Sequence, residues 1–216
     1  MIGDAGCERV AKEGAGRGPG RVRICHDPGD ALCRGMRISG GAARGIPLQV
    51  PKGDAVRPAT DGLRQSVFSS LAAWLPGARF ADLFAGSGAY GLEAFSRGAS
   101  GGVFVEQSPK ALACLRANVD AVAKSTGRAG TTLQILPGDA LAWMPAPGEV
   151  PDLVFIDPPY DLIPRVAPVL FGRLAQSLAA KPEAIVVFEA PGEMNVEAPG
   201  WICRKRLGKG ARQPTA

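Results

Sequence analysis

The chain has 216 residues, 46% hydrophobic and 21% charged, which suffices for one sizeable core and excludes more than two small domains. No apolar run approaches the ~20 residues that span a bilayer, and residues 1–9 carry acids and glycine where a secretory signal needs an apolar stretch, so a cytoplasmic protein without a membrane partner is expected. A formal net charge of +5 gives weak support to a polyanionic partner, while five scattered cysteines and a single histidine, His26, argue against a disulfide framework, a metal site and histidine-based catalysis.

Residues 1–35 are rich in Gly, Pro and charge and lack apolar periodicity, so they read as a disordered leader that cannot offset its chain entropy. Met36 opens a segment of different character, which suggests that translation begins there and that the leader is an artefact of start-site choice; the mass of the native N-terminus tests this. Over residues 38–50, short apolar stretches broken by Gly40-Gly41 and Gly45-Ile46-Pro47 read as a small β-hairpin. Arg57-Pro58-Ala59-Thr60-Asp61 then leads into a helix with Leu63, Val67, Leu71 and Leu75 at four-residue spacing and Thr60 or Asp61 as its N-cap.

After Pro76-Gly77 the pattern alternates. A strand over 79–85 meets a glycine turn and a helix over 89–97. A strand over 102–106 precedes a helix opened by Ser108 at the N-cap and Pro109 at the first helical position. Strands over 131–136 and 152–156 follow, then a helix within 161–180, a strand over 184–189 and a candidate edge strand over 201–207. Such alternation predicts an α/β fold, a mostly parallel sheet with helices on both faces. The organisation expected is a leader at 1–35, a hairpin extension at 36–56, the main domain at 57–207 and a flexible basic tail at 208–216. Between positions 37 and 79 the basic residues Arg37, Arg44, Lys52, Arg57, Arg64 and Arg79 face only two acids, Asp54 and Asp61, and a second basic cluster, Arg204-Lys205-Arg206, lies near the end.

Gly86-Ser87-Gly88-Ala89-Tyr90-Gly91 matches G-x-G-x-x-G, and Glu106 lies at a suitable distance downstream for an acid on a ribose. That match alone fits a dinucleotide as readily as S-adenosylmethionine. Asp82 tilts the choice, because a dinucleotide strand is normally apolar there, whereas a methionine-bearing cofactor has an ammonium group for an acid to face. Glu106 is the candidate acceptor for the two ribose hydroxyls, and Asp139, beside Ala140 after the next strand, for the adenine amino group, although either acid also suits an ordinary helix cap.

Asp157-Pro158-Pro159-Tyr160, directly after the apolar run 153–156, reads as a rigid, acid-tipped ledge at the carboxyl edge of the sheet, where open α/β sheets place ligands. An exocyclic amino group on a purine is a poor nucleophile because its lone pair is delocalised into the ring. The Asp157 carboxylate and the Pro158 carbonyl can both accept from that amino group, which localises the pair and stabilises the charge that develops on methyl transfer. Tyr160 is the candidate stacking partner for an extruded base.

Met36-Arg37-Ile38-Ser39-Gly40-Gly41, Arg57-Pro58-x-Thr60-Asp61 with Arg64 and Phe68, Asp82-Leu83-Phe84-Ala85-Gly86-Ser87-Gly88, Gly91-Leu92-Glu93-Ala94, Arg97-Gly98-Ala99 and Phe155-Ile156-Asp157-Pro158-Pro159-Tyr160 together resemble the RsmD-type bacterial 16S ribosomal RNA guanine-N2 methyltransferases. The likeness covers residues 36 to about 189. It implies a Rossmann-like class I S-adenosylmethionine-dependent fold with a seven-stranded type of sheet, preceded by the hairpin. It also implies a monomer that methylates guanine N2 in 16S ribosomal RNA during small-subunit assembly. By the same resemblance, Asp157, Pro158, Pro159 and Tyr160 are catalytic. Asp82, Phe84, Gly86, Ser87, Gly88, Glu106, Asp139 and Ala140 bind the cofactor, and Arg37, Arg44, Arg57 and Arg64 meet RNA phosphates.

Two departures from the family pattern stand out: residues 1–35 have no counterpart, and the end lacks the strand and glycine alternation that usually closes the sheet. Three rivals remain open at this point. A DNA adenine-N6 methylase shares the ledge but usually needs a sizeable sequence-reading domain. A non-catalytic RNA- or nucleotide-binding protein needs no acid at position 157. A nicotinamide oxidoreductase lacks a tyrosine-lysine or histidine constellation here.

Overall fold

Runs of β-branched and aromatic residues between glycine and proline breaks give the chain its strands, and two of these runs come from its outermost parts. In a computed structural model the described residues are 21–25, 36–51 and 61–208, except Asn195. The strands are β1 (Arg21–Cys25), β2 (Arg79–Leu83), β3 (Gly101–Glu106), β4 (Leu133–Pro137), β5 (Leu153–Ile156), β6 (Ile185–Glu189) and β7 (Ile202–Leu207). They form one sheet in the order β4-β3-β2-β5-β6-β1-β7, with every neighbouring pair parallel. The chain has the Rossmann-like class I methyltransferase fold that its motifs suggest.

Among the described residues four α-helices cover the sheet: α1 (Asp61–Ser70), α2 (Ala89–Ser96), α3 (Pro109–Thr126) and α4 (Ile163–Ser177). Successive residues of a strand point to opposite faces. In β5, Leu153 and Phe155 join the core under α1, α2 and α3, while Val154 and Ile156 join the core under α4. This two-sided burial explains the unbroken apolar run in β5. On the first face Phe155 stacks on Tyr90 at 5.5 Å and packs against Phe68 at 5.5 Å.

The expected start of α3 is present in detail. Pro109 is its first residue and the Ser108 hydroxyl accepts from the amide of Ala111, while Gly127, at φ 64°, ends it in the left-handed conformation. The helix expected to carry Leu71 and Leu75 stops at Ser70, with residues 72–74 a 3-10 turn, while the boundaries of the other expected elements move by one or two residues. Residues 130–132 form a 3-10 turn instead of the start of β4.

Two expectations about the N-terminal part need correction. Residues 21–25 belong to the sheet instead of a disordered leader: β1 lies between β6 and β7 and pairs with both. Two ladders of main-chain hydrogen bonds supply what the Gly/Pro-rich surroundings of this short Arg-Val-Arg-Ile-Cys run do not. The hairpin over 38–50 is a tight antiparallel loop with one bridge, Arg37 to Pro47, and main-chain bonds from Ile38 N to Ile46 O and from Leu48 N to Met36 O. It is embedded in the domain, because Ile38, Ala43 and Leu48 are buried in the first core. Gly41, at φ 78°, is required there: a Cβ would sit 2.0 Å from the Ser96 carbonyl oxygen.

Candidate active site

The sheet changes direction of growth between β2 and β5, and it is at the carboxyl ends flanking such a switch point that open α/β sheets hold ligands. Leu83 of β2 pairs with Ile156 of β5, so the next residues, Phe84 and Asp157, leave the sheet side by side. Leu83 also pairs with Val105, which places Glu106 on the other flank of the turn, and Glu106 pairs with Pro137, two residues before Asp139. The rim therefore carries, in spatial order, Asp139, Glu106, the glycine turn and the ledge. A surface concavity opens at the opposite edge, among Trp74, Pro76, Asp152 and Glu183. The strand-end carboxylates converge at the carboxyl rim, and we place the site there.

The glycine turn is strained and heavily braced. Phe84 is the one non-glycine residue with positive φ among the described residues, at 61°, and Gly86 and Gly88 follow at 54° and 80°. Holding a phenylalanine in this region costs on the order of 1–3 kcal/mol, so the surroundings must enforce it. Glu106 contributes, its Oε2 accepting from the Gly86 amide at 2.8 Å and its Oε1 from the Ser108 amide at 2.7 Å. A Cβ on Gly88 would meet Leu115 at 2.4 Å, whereas one on Gly86 would have nothing nearer than a carbonyl at 4.0 Å. Gly88 is thus a packing glycine, and Gly86 borders open space.

Asn118, a residue not anticipated from the sequence, completes the bracing. Its Nδ2 donates to the Ser87 carbonyl and to the Gln49 carbonyl, both at 2.9 Å, and its Oδ1 accepts from the Gln49 amide at 2.7 Å. The signal was available: Asn118 lies on the α3 stripe otherwise formed by Leu112, Leu115, Val119 and Val122, and a polar residue in such a stripe needs buried partners. The Ser87 hydroxyl also contacts the Met36 sulfur at 3.2 Å.

Asp82 does not lie exposed for a cofactor ammonium. It is 2% exposed, and its Oδ2 accepts from the Gly91 amide at 2.8 Å. Burial pushes its pKa up from 3.8 to about 8, the Gly91 amide acts against this, and the Glu106 charge adds to the rise. In this state the group is a mostly neutral brace between β2 and α2. Asp139 is exposed and its Oδ1 accepts from the Leu141 amide at 2.9 Å in a turn, with Ala140 buried beside it.

At the ledge Asp157 is half-buried, Pro158 buried and Pro159 exposed. Tyr160 is half-buried, packs on the core under α4 and opens a 3-10 turn. The Pro159 carbonyl accepts from the Leu162 amide at 2.9 Å, which fixes the turn into α4.

The four arginines expected on RNA separate into three groups. Arg37 and Arg44 are exposed on the embedded loop. Arg57 lies outside the described residues. Arg64 is a correction: it is fully buried, it donates to the Arg37 carbonyl, and its Nε lies 3.6 Å from Glu93. A helical arginine on the α1 stripe with Leu63 and Val67 is drawn inward by the buried Glu93 carboxylate, which also binds the Ser39 amide and hydroxyl and Arg97. The motif around Arg64 therefore builds the loop that presents Arg37 and Arg44.

The rim has the donor and acceptor set that S-adenosylmethionine requires: open space above Gly86, a carboxylate at the end of β3 and a polar turn after β4. Among the described residues no group of His, Cys, Asp or Glu is arranged to hold a metal ion, and no helix is long and apolar enough to cross a membrane.

A family model described as Conserved hypothetical protein 95 matches residues 36–212. The chain is similar to Ribosomal RNA small subunit methyltransferase D of Escherichia coli (strain K12), 37% identical over 125 residues that make up 58% of this chain and 60% of that protein. It is also similar to the protein of the same name from Haemophilus influenzae, 28% identical over 178 residues, 81% of this chain and 89% of the relative. Among solved structures, the hypothetical protein TTHA0928 of Thermus thermophilus superposes with a TM-score of 0.56 at 32% identity, covering 74% of this chain and 88% of that one. The chain spans about 60% of the length of the Escherichia coli relatives it matches.

Proposed function

The chain belongs to the family described as Conserved hypothetical protein 95, and from that membership we propose that it is an S-adenosylmethionine-dependent methyltransferase acting on the exocyclic N2 of a guanine in 16S ribosomal RNA. The observation that carries this reading is the register of β2 and β5, which sets the glycine turn directly beside Asp157 at the switch point. The names of the Escherichia coli and Haemophilus influenzae relatives support the class of substrate. An assembling small subunit in the cytoplasm is the setting, and the protein acts as a monomer.

S-adenosylmethionine, when bound, supplies an electrophilic methyl group. Glu106 retains lone pairs beyond those engaged by Gly86 and Ser108 and accepts from the ribose hydroxyls, while Phe84, Gly86, Ser87 and Gly88 form the backbone surface against the cofactor. Asp139 would accept from the adenine amino group, with Ala140 buried beside it. Asp82 acts through the turn it braces. Asp157 accepts from the guanine N2 amino group and from N1–H together, a pairing that adenine, with an acceptor at N1, does not offer. The Pro158 carbonyl, to which none of the described residues donates a hydrogen bond, accepts from the same amino group and helps aim its lone pair. Pro159 stiffens the turn, and Tyr160 forms one wall for the extruded base. Arg37, Arg44 and Arg57 meet phosphates, so RNA affinity falls as salt rises.

The test is transfer of labelled methyl from S-adenosylmethionine to small-subunit particles, to protein-free 16S RNA and to duplex DNA. Guanine N2 methylation in the wild type is expected, and Asp157→Ala should lower it by at least ~100-fold, the scale of losing a group that stabilises developing charge, with S-adenosylhomocysteine binding retained. Methyl groups on DNA adenine, or loss of cofactor binding in Asp157→Ala, would overturn the assignment.

A further inference from the structure

The glycine turn and the loop at residues 36–50 are joined by more than proximity. Asn118 is 1% exposed and has its carboxamide fully engaged, with one end on Ser87 in the turn and both ends on the main chain of Gln49. One donor and two acceptors on the loop and the turn leave this side chain no rotamer freedom that keeps all three bonds. A second link runs from Met36 to the Ser87 hydroxyl. On the far side of the loop, the Ser96 hydroxyl accepts from the Ala43 amide and donates to the Gly40 carbonyl, and Glu93 holds Ser39. The loop is therefore clamped at both ends, to the turn at 36 and 49 and to α2 at 39–43.

We propose that Asn118 is a positioning residue through which the N-terminal loop sets the geometry of the cofactor turn, so that cofactor affinity depends on a segment that lies outside the G-x-G-x-x-G motif. This rests on the proposed function and assigns a second duty to the loop that carries Arg37 and Arg44. The turn needs such outside support because it holds Phe84 in the left-handed region, and a strained backbone relaxes when a brace is removed. Asn118 touches neither reactant; it acts through the Ser87 carbonyl.

Binding of S-adenosylhomocysteine by calorimetry, with methyl transfer to small-subunit particles alongside, tests the link. Asn118→Ala should weaken S-adenosylhomocysteine and raise the KM for S-adenosylmethionine about tenfold, the equivalent of one to two hydrogen bonds, while kcat at saturating cofactor stays within about twofold. Gln49→Pro removes the main-chain N–H from which Asn118 accepts and leaves Asn118 itself in place, and it should weaken the same ligand several-fold although position 49 is not in the turn. Gln49→Pro binding S-adenosylhomocysteine as tightly as the wild type would refute the link even if Asn118→Ala failed to fold. Unchanged affinity in both variants would refute it as well, as would a fall in kcat with KM constant. A wild type that does not bind S-adenosylhomocysteine would instead overturn the proposed function.

Discussion

The two halves of the sheet are built on different plans. The half β4-β3-β2-β5 grows from strands that lie within one stretch of chain, joined by turns and crossover helices, and the strand-end residues of the candidate site, Phe84, Glu106, Asp139 and Asp157, lie at its carboxyl rim. The half β6-β1-β7 joins strands from opposite parts of the sequence, with β1 between two strands that follow it by more than 150 residues. The first half is dense with buried side-chain bonds; β7, at the edge of the second, has no buried residue. The candidate site is thus seated where local sequence dictates structure, and the far edge is left to long-range pairing.

Substitutions that sharpen this contrast can be ranked. In the first half, Glu93→Ala removes the carboxylate faced by the buried Arg64 and by Arg97, and should cost about 3–5 kcal/mol in denaturant unfolding. Gly91→Ala forces a Cβ to within 2.4 Å of Phe104 and 2.5 Å of Phe80 and should cost about 1–3 kcal/mol by the same measurement. Ser108→Ala, which deletes the N-cap of α3, should cost about 1 kcal/mol. In the second half, Ile202→Ala on the exposed edge should stay within about 0.5 kcal/mol. A loss at Ile202 equal to that at Gly91 would break the contrast.

Acidity sharpens it in another way. The Asp82 value of about 8 lies above its ordinary 3.8, so the fold favours the protonated form. The contribution to stability is complete below about pH 4 and is lost as pH rises towards 8, because the unfolded chain ionises first. Asp82→Asn should therefore flatten the fall in denaturant midpoint between pH 5 and 8, and a slope identical to wild type would show that Asp82 is ionised in the folded protein.

Legibility followed the same division. β2, β3, β5 and the ends of α3 could be read because each depends on neighbours in sequence: an apolar run, a glycine turn, a serine-proline start. The ledge was legible for the same reason. What local pattern does not encode was missed or misassigned. Arg64 looked like a surface base because nothing near it in sequence reveals Glu93, nearly thirty residues on, as its buried counter-charge. Asp82 looked like a ligand because its strand position was right, while its capture by the Gly91 amide depends on how α2 docks. Asn118 was overlooked because its partners, Gln49 and Ser87, meet it only after the loop folds onto the domain. β1 was hidden because a five-residue strand among glycines gains its bonds from partners near the other end of the chain.

The interior position of β1 has a consequence for biosynthesis. Ile185, the first residue of β6 to pair with it, leaves the ribosome ~160 residues after Cys25, a delay of roughly ten to thirty seconds at ordinary elongation rates. Throughout that interval β1 lacks the strands that flank it, whereas β2, β3, β4 and β5 can pair as they emerge. The sheet closes around β1 only once β6 and β7 have emerged, and any nascent-chain factor that shelters the early segment would govern the yield of folded protein without touching its chemistry.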